Sequence, residues 1–428
     1  MSTTTDVLVI GGGPAGSTAA ALLARRGHQV TLLEKDRHPR FHIGESLLPA
    51  NLPLLEKLGV AEQVRAIGMP KGGAEFVSSW DGRHQDYCFA EAWDKRMPSA
   101  YQVRRSQFDE ILIRNAERAG ARVLENCRVR GVEFESAGGA VRVHAEHVDG
   151  TASDWHARFL VDASGRDTYL ANHFGCKRRN PRHNSAALYG HFRGARLHDG
   201  ERAGYISIYW FEHGWLWFIP LRDGATSVGA VVWPYYLKSR AVPVEQFYLA
   251  TIAACPPLAE RLAQAQLINE IVATGNYSYS SARSHGERYL MLGDAYAFVD
   301  PVFSSGVMLA MNSAFAGAAA VDTCLRAPAS ARAALSRFDR IMRHGPRQFC
   351  WFIYRITQPN MIELFLRPAN LLRMKEALLS VLAGDIFGAS PIWGSLRAFK
   401  VLYALSALLH PGRSARDLRR RQHNIQSL

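Results

Sequence analysis

The chain opens on an unbroken apolar run, Asp6 to Ile10 (DVLVI), which predicts a strand buried on both faces. A glycine cluster (GGGPAG) follows, then the small-residue stretch STAAALLARRG with helical composition, then a second apolar run, QVTLLE, ending at Glu34. The succession predicts strand, glycine turn, helix, strand, with an acid at the tip. QVRRSQFDEILIRNAERAG reads as a helix entered through Ser106. The alternating ARVLENCRVRGVEFES predicts strand, and AVRVHAEHV with SDWHARFLVDASG a hairpin. Strands dominate from about Ala186 to Gly229, and helical segments follow near Val244 to Ala265. YLMLGDAYAFVDPVFSSGVMLAMNSAFAGAAAV predicts strand, loop and a helix starting near Val307; from 341 onward the chain reads as mostly helical and rich in aromatics.

One predicted strand, GWLWFIP (Gly214 to Pro220), carries two tryptophans two residues apart. Residues i and i+2 of a strand share a face, so Trp215 and Trp217 form one aromatic wall, with Leu216 and Phe218 on the opposite side. Such a wall is either plain core or a barrier around a reactive centre.

Composition narrows the class. A chain of 428 residues with 48% hydrophobic content is globular and long enough for two or three domains. No basic leader precedes the first apolar run, and no window of about twenty uninterrupted apolar residues predicts a membrane span. The six cysteines are scattered without a CxxC pair, which argues against a metal cluster or disulfide framework and fits a reducing cytoplasm. Net charge is +13, with arginine far outnumbering lysine, and this favours an acidic partner. Zinc-finger spacing and RNA-binding signatures are lacking, so nucleic acid is not expected. The densest basic cluster, ARDLRRRQHN near the C-terminus, reads as a solvated tail.

The glycine cluster carries chemistry in its context. Gly11 allows the tight turn, Gly13 lets backbone approach a pyrophosphate, and Gly16 lets the helix pack closely on the sheet. The helix N-terminus then faces the phosphates, and Glu34 accepts hydrogen bonds from ribose hydroxyls. Far downstream, LGDAYAFVDPVFSSG places Asp294 at the end of an apolar strand, before a glycine-bearing loop and a second small-residue helix. That acid can hold polyol hydroxyls, and the helix N-terminus can stabilise negative charge on a reduced flavin. Nucleotide-binding elements thus come from both ends of the chain. The expected fold is α/β: a Rossmann-type FAD-binding domain over 1–340, an inserted β-rich substrate domain (roughly 75–105 and 175–275), and an aromatic-rich helical region over 341–428.

With both motifs the chain resembles the FAD-dependent monooxygenase superfamily, whose fold is similar to that of p-hydroxybenzoate hydroxylase. RRSQFD is similar to that superfamily's arginine-bearing helix start, and VDASG (Val161 to Gly165) looks like another of its elements. The resemblance sharpens to the flavin-dependent halogenases. It rests on a WxWxIP pattern (Trp215, Trp217, Ile219, Pro220), an Fx.Px.SxG pattern (Phe298, Pro301, Ser304, Gly306), Lys71 in the glycine-flanked GMPKGGAEF, and IGESLLP (Ile43 to Pro49). It implies an FAD site built from Gly11, Gly13, Pro14, Ala15, Gly16, Glu34, Ser46, Arg105, Asp294, Pro301 and Gly306. It also implies FADH2 from a separate flavin reductase, O2, and a chloride or bromide held at Ser305 and Gly306, with no metal.

In the chemistry so implied, hypohalous acid forms beside the flavin. Trp215 and Trp217 keep the aromatic substrate away from the flavin, and Lys71 directs the halogen, either by hydrogen bonding or as a haloamine. Apolar neighbours Met69, Pro70 and Phe76 would lower the pKa of Lys71 by desolvation. Phe303 stands where the tryptophan-halogenating branch carries a glutamate, so the loop looks like that of the branch acting on phenols and pyrroles, often tethered to an acyl or peptidyl carrier protein. Two other readings use the same fold: an FAD hydroxylase or geranylgeranyl reductase-like enzyme, and a non-catalytic flavoprotein. In the hydroxylase or reductase reading Lys71 is dispensable and halide has no effect on product; the non-catalytic flavoprotein would show no oxygen-dependent turnover.

Overall fold

The computed structural model describes residues 3–135, 139–275, 278–410 and 412. The basic cluster ARDLRRRQHN lies outside them.

The predicted first unit forms as strand Thr3–Ile10, helix Pro14–Arg25 and strand Val30–Leu33. The helix begins earlier than the small-residue stretch suggests, because Pro14 sits at its first turn, where the missing N–H costs nothing. Thr3–Ile10 pairs in parallel with both Val30–Leu33 and Ala152–Asp162, which in turn pairs in parallel with Tyr289–Met291. Elements distant in sequence thereby close one sheet around the glycine turn, in an α/β arrangement. The alternating run breaks into two strands, Arg122–Leu124 and Cys127–Phe134, because Asn126 turns through a positive φ of 56°. The hairpin Val141–His147 with Ala152–Asp162 forms as expected. The Arg105 helix does not begin through Ser106: it spans Arg105–Arg118 with Arg104 before it, and Ser106 is already inside.

A second sheet takes strands Gly73–Ser78 and His84–Cys88 from early in the chain and five more from 186–267, with Val272–Gly275 on its edge. Its central strand is Gly214–Pro220, buried throughout. The two faces of that strand enter different cores. Trp215, Trp217 and Ile219 pack with the C-terminal helices, while Leu216 and Phe218 pack against the helices at 244–261.

Register ties the wall to a neighbour. Trp217 is opposite Gly229, and a Cβ at Gly229 would stand 2.2 Å from the indole. The glycine is the space the indole occupies. Gly229→Ala is expected to push the ring from its place at a cost of about 1–3 kcal/mol, read as a lower urea midpoint together with altered tryptophan fluorescence.

The Gly306–Arg326 helix is apolar and long enough, by length and composition, to cross a membrane. Its Met311, Ala314, Ala318 and Val321 are instead buried in the core, against the Pro14–Arg25 and Ala331–Ile353 helices.

Candidate active site

A cavity of about 390 Å³ runs from the glycine turn to the tryptophan wall. Gly11 turns at φ +97°, where a side chain would be strained, and a Cβ there would lie 2.5 Å from the Ala163 carbonyl oxygen. A Cβ on Gly16 would lie 1.9 Å from the Gly11 carbonyl oxygen, so helix and strand touch only because both residues are glycine. Gly13 differs: it lines the cavity, and the nearest atom to a Cβ there is a guanidinium nitrogen of Arg40 at 3.9 Å. Gly16 shapes the fold, and Gly13 leaves room for a ligand.

Glu34 lines the same cavity, with one carboxylate oxygen accepting from the Gly12 N–H at 2.6 Å and the other from the Asp36 N–H at 2.9 Å. Pro14, Ala15, Ser46, Arg105, Asp294, Pro301 and Gly306 line it too. Arg105 is held by Asp109 at 2.8 and 3.0 Å and donates to the Ile43 carbonyl, whereas Arg104 turns away to Asp223. Burial raises the Asp294 carboxyl to about 6, against the opposing pull of Arg105 and Arg166.

Sequence reasoning missed three groups here. Arg40 reaches toward Glu34 (3.9 Å) and Asp109 (3.7 Å), and its buried Nε has no hydrogen-bond partner. Glu45 is buried, with one oxygen accepting from His191 Nε2 at 2.8 Å and the other, Oε2, unpartnered. No pattern could flag the pair, since 145 residues of chain separate Glu45 from His191 and only the sheet unites them. A glycine-lined cradle at a helix N-terminus, with an orphaned guanidinium N–H and an orphaned carboxylate oxygen, fits the pyrophosphate and polyol of FAD.

At the far end stand Tyr189, Ile206, Trp215, Trp217 and Ile219. The two indoles lie 6.0 Å apart at 48°, and Trp217 donates its Nε1–H to Ser227 Oγ at 3.2 Å. The hydrogen bond and Gly229 together hold that ring in one orientation.

The loop before the Gly306–Arg326 helix forms one flank. Asp300 accepts from the Val302 N–H and from His183 at 2.8 Å. Ser304 adopts φ +54°, uncommon for a non-glycine residue. Ser305 occupies the N-cap position, yet its side chain makes no capping bond, so it does not satisfy the first-turn N–H groups. The loop divides two spaces. Ser304 lines the large cavity, Ser305 a smaller one of about 40 Å³, and Gly306 both. A Cβ on Gly306 would meet nothing within 4 Å, so this backbone is open to a ligand. Phe303 points into the core against Phe349 and Phe352, each at 6.2 Å.

Lys71 is 1% exposed on the short strand Met69–Lys71. Its Nζ donates to Ser46 Oγ at 2.8 Å and the Leu47 carbonyl at 2.9 Å, and stands 5.2 Å from the Phe89 ring centroid. Ser46 lines the large cavity and Lys71 does not. Burial lowers the ammonium to about 7, as expected, but Met69 is only partly covered and Pro70 is exposed, and the ring over which the ammonium stands is Phe89.

Comparison with known proteins gives this geometry a family. The FAD binding domain model matches residues 4–338. A tryptophan 2-halogenase of Chondromyces crocatus is 35% identical over 352 residues, 79% of this chain, which spans 65% of that protein's length. A 1H-pyrrole-2-carbonyl-[peptidyl-carrier protein] chlorinase of Pseudomonas fluorescens is 29% identical over 405 residues, 89% of each chain. The structure of a myxobacterial chondrochloren halogenase superposes with a TM-score of 0.79 at 36% identity, covering 92% of this chain and 93% of its own. An FAD-type cradle ending on a paired-tryptophan wall, in a chain this similar to such enzymes, belongs to the flavin-dependent halogenases.

Proposed function

We propose that the protein halogenates an electron-rich aromatic, a phenol or pyrrole, using FADH2 from a separate reductase, O2, and chloride or bromide. The observation that carries this reading is the separation of two chemistries: the cradle cavity ends on Trp215 and Trp217, while the buried amine of Lys71 lies outside it, behind Ser46. When bound, FAD supplies the reducing and oxygen-activating power that turns halide into hypohalous acid. Gly11, Gly13, Pro14 and Ala15 hold its pyrophosphate with Arg40, Glu34 holds the adenosine ribose, and Arg105, Ser46, Asp294 and Pro301 hold the flavin side. Gly306 and Ser305 present first-turn N–H groups to the halide. The indoles exclude the arene from the flavin, so it is halogenated rather than hydroxylated, and Lys71 delivers the halogen to it. The second sheet (73–88 and 186–275) serves as the substrate domain, and the helices after 341 close over it. Six unpaired cysteines support action in the reducing cytoplasm.

The decisive assay supplies FADH2, O2 and chloride or bromide with a panel of phenols, pyrroles and free tryptophan, and reads products by mass spectrometry. Halide-dependent mass gain on a phenol or pyrrole is expected. Hydroxylation indifferent to halide would identify a hydroxylase, and absence of oxygen-dependent turnover a non-catalytic flavoprotein. The carrier-bound form of the substrate is supported by the net charge of +13, by Phe303 at the loop, and by similarity to an enzyme named for a peptidyl-carrier substrate.

A further inference from the structure

The long Ala331–Ile353 helix has two faces of opposite character. Its inner face places Phe349 and Phe352 against Phe303, next to the Ser304–Gly306 loop. Its outer face exposes Arg337, Arg340, Arg343 and Arg347, spaced three, three and four residues apart and therefore in one row. The helix has a single acid, Asp339, which pairs with Arg343. Among the described residues, Arg337, Arg340 and Arg347 have no carboxylate partner.

A second helix, Trp393–Leu409, lies alongside in the same direction. Trp393 meets His344 at 5.6 Å, and Phe399 and Tyr403 meet Trp351 at 6.3 and 5.5 Å. It contributes an exposed Arg397 and a half-buried Lys400. Lys400 stands over Trp351 at 5.1 Å, with Arg355 over the same ring at 4.6 Å. Burial, then Arg355 and Arg397, lower the Lys400 ammonium. Like charges crowded without an acid between them are unfavourable until an anionic surface arrives. Beyond the cations the same helix exposes Val401, Leu405, Leu408 and Leu409, the last two 76% and 77% exposed. A cationic row ending in an unpartnered apolar helix end has the makeup of a docking site: charge to steer, leucines to anchor.

We infer that this two-helix ridge docks the acidic protein domain that carries the tethered substrate. The inference rests on the carrier-bound reading of the function. Charge complementarity selects an anionic partner. The ridge is one helix thickness, about 10 Å, from the Phe303–Gly306 loop on which Phe349 and Phe352 pack.

The test uses the full chain and a peptidyl-carrier domain loaded with 1H-pyrrole-2-carbonyl, beside free pyrrole-2-carboxylate. Two variants, Arg340→Glu/Arg347→Glu and Leu405→Ser/Leu408→Ser, are compared with the parent. Each is expected to raise KM for the loaded carrier by about tenfold or more, with kcat, FAD affinity and turnover of any free substrate unchanged. The parent's KM alone should also climb between about 50 and 500 mM salt. If the parent ignores the loaded carrier, the carrier reading of the function fails. If the parent uses it and both variants match the parent, the ridge assignment is overturned. Sedimentation of the parent with phosphatidylglycerol vesicles, lost in the leucine variant, would assign the ridge to a membrane instead. Self-association lost in that variant would assign it to a second copy of the chain. Either result overturns the inference.

Discussion

Lys71→Ala is expected to abolish halogenation while oxygen-dependent oxidation of FADH2 and peroxide release continue at the parental rate. The amine lies outside the flavin cavity, behind Ser46, and in the proposed mechanism it acts after hypohalous acid has formed. Coupled product and peroxide assays check this. Halogenation with the parent's regiochemistry would remove Lys71 from the mechanism, and loss of FAD would make it structural. The same burial has a thermodynamic signature. The folded-state value, about 7, lies below the ordinary 10.5, so between the two the unfolded chain binds more protons. Stability must then rise with pH across that window. Lys71→Met, which fills the space without a charge, is expected to be more stable than the parent near neutral pH, with the gap closing toward about pH 10.5. Urea unfolding across that range measures it. The titration also places an inflection in kcat near pH 7: a rise implies the free amine as the working form, a fall the ammonium.

Gly16→Ala is expected to eliminate FAD retention. A methyl group 1.9 Å from the Gly11 carbonyl oxygen cannot be accommodated unless the Pro14–Arg25 helix moves off the sheet, which dismantles the cradle. Gly13→Ala supplies the contrast. Nothing closer than 3.9 Å meets its methyl in the protein, so thermal stability is expected to hold. The methyl would occupy space meant for the pyrophosphate, so FAD affinity should fall at least about tenfold, ~1.4 kcal/mol. Flavin fluorescence titration and thermal melts on both variants separate the roles. Equal stability loss in the two would show that neither glycine is reserved for the ligand.

The glycine turn, its flanking strands and the alternation across GWLWFIP were legible because each depends on neighbours within a few residues. A strand's period of two dictates that Trp215 and Trp217 share a face, and a glycine cluster between a buried strand and a small-residue helix has few other uses. The burial of Lys71 was legible in direction, since glycine and apolar flanks remove water. Its cause was not, because Phe89 and Ser46 reach it from other parts of the chain.

Sequence by itself determined the family of local shapes: the cradle, the tryptophan wall, and the loop that ends in a helix N-terminus. Tertiary structure alone decided which of these share a cavity. It brought Arg40 beside Gly13, paired Glu45 with His191, set Ser305 on the smaller space and Ser304 on the larger, and put Arg105 rather than Arg104 on the cavity. It also turned Phe303 inward and set Lys400 of one helix over Trp351 of another. The physical reason is that backbone periodicity acts over one or two turns of chain, whereas a site is closed by side chains that meet only when sheets and helices pack, and no local pattern records those meetings.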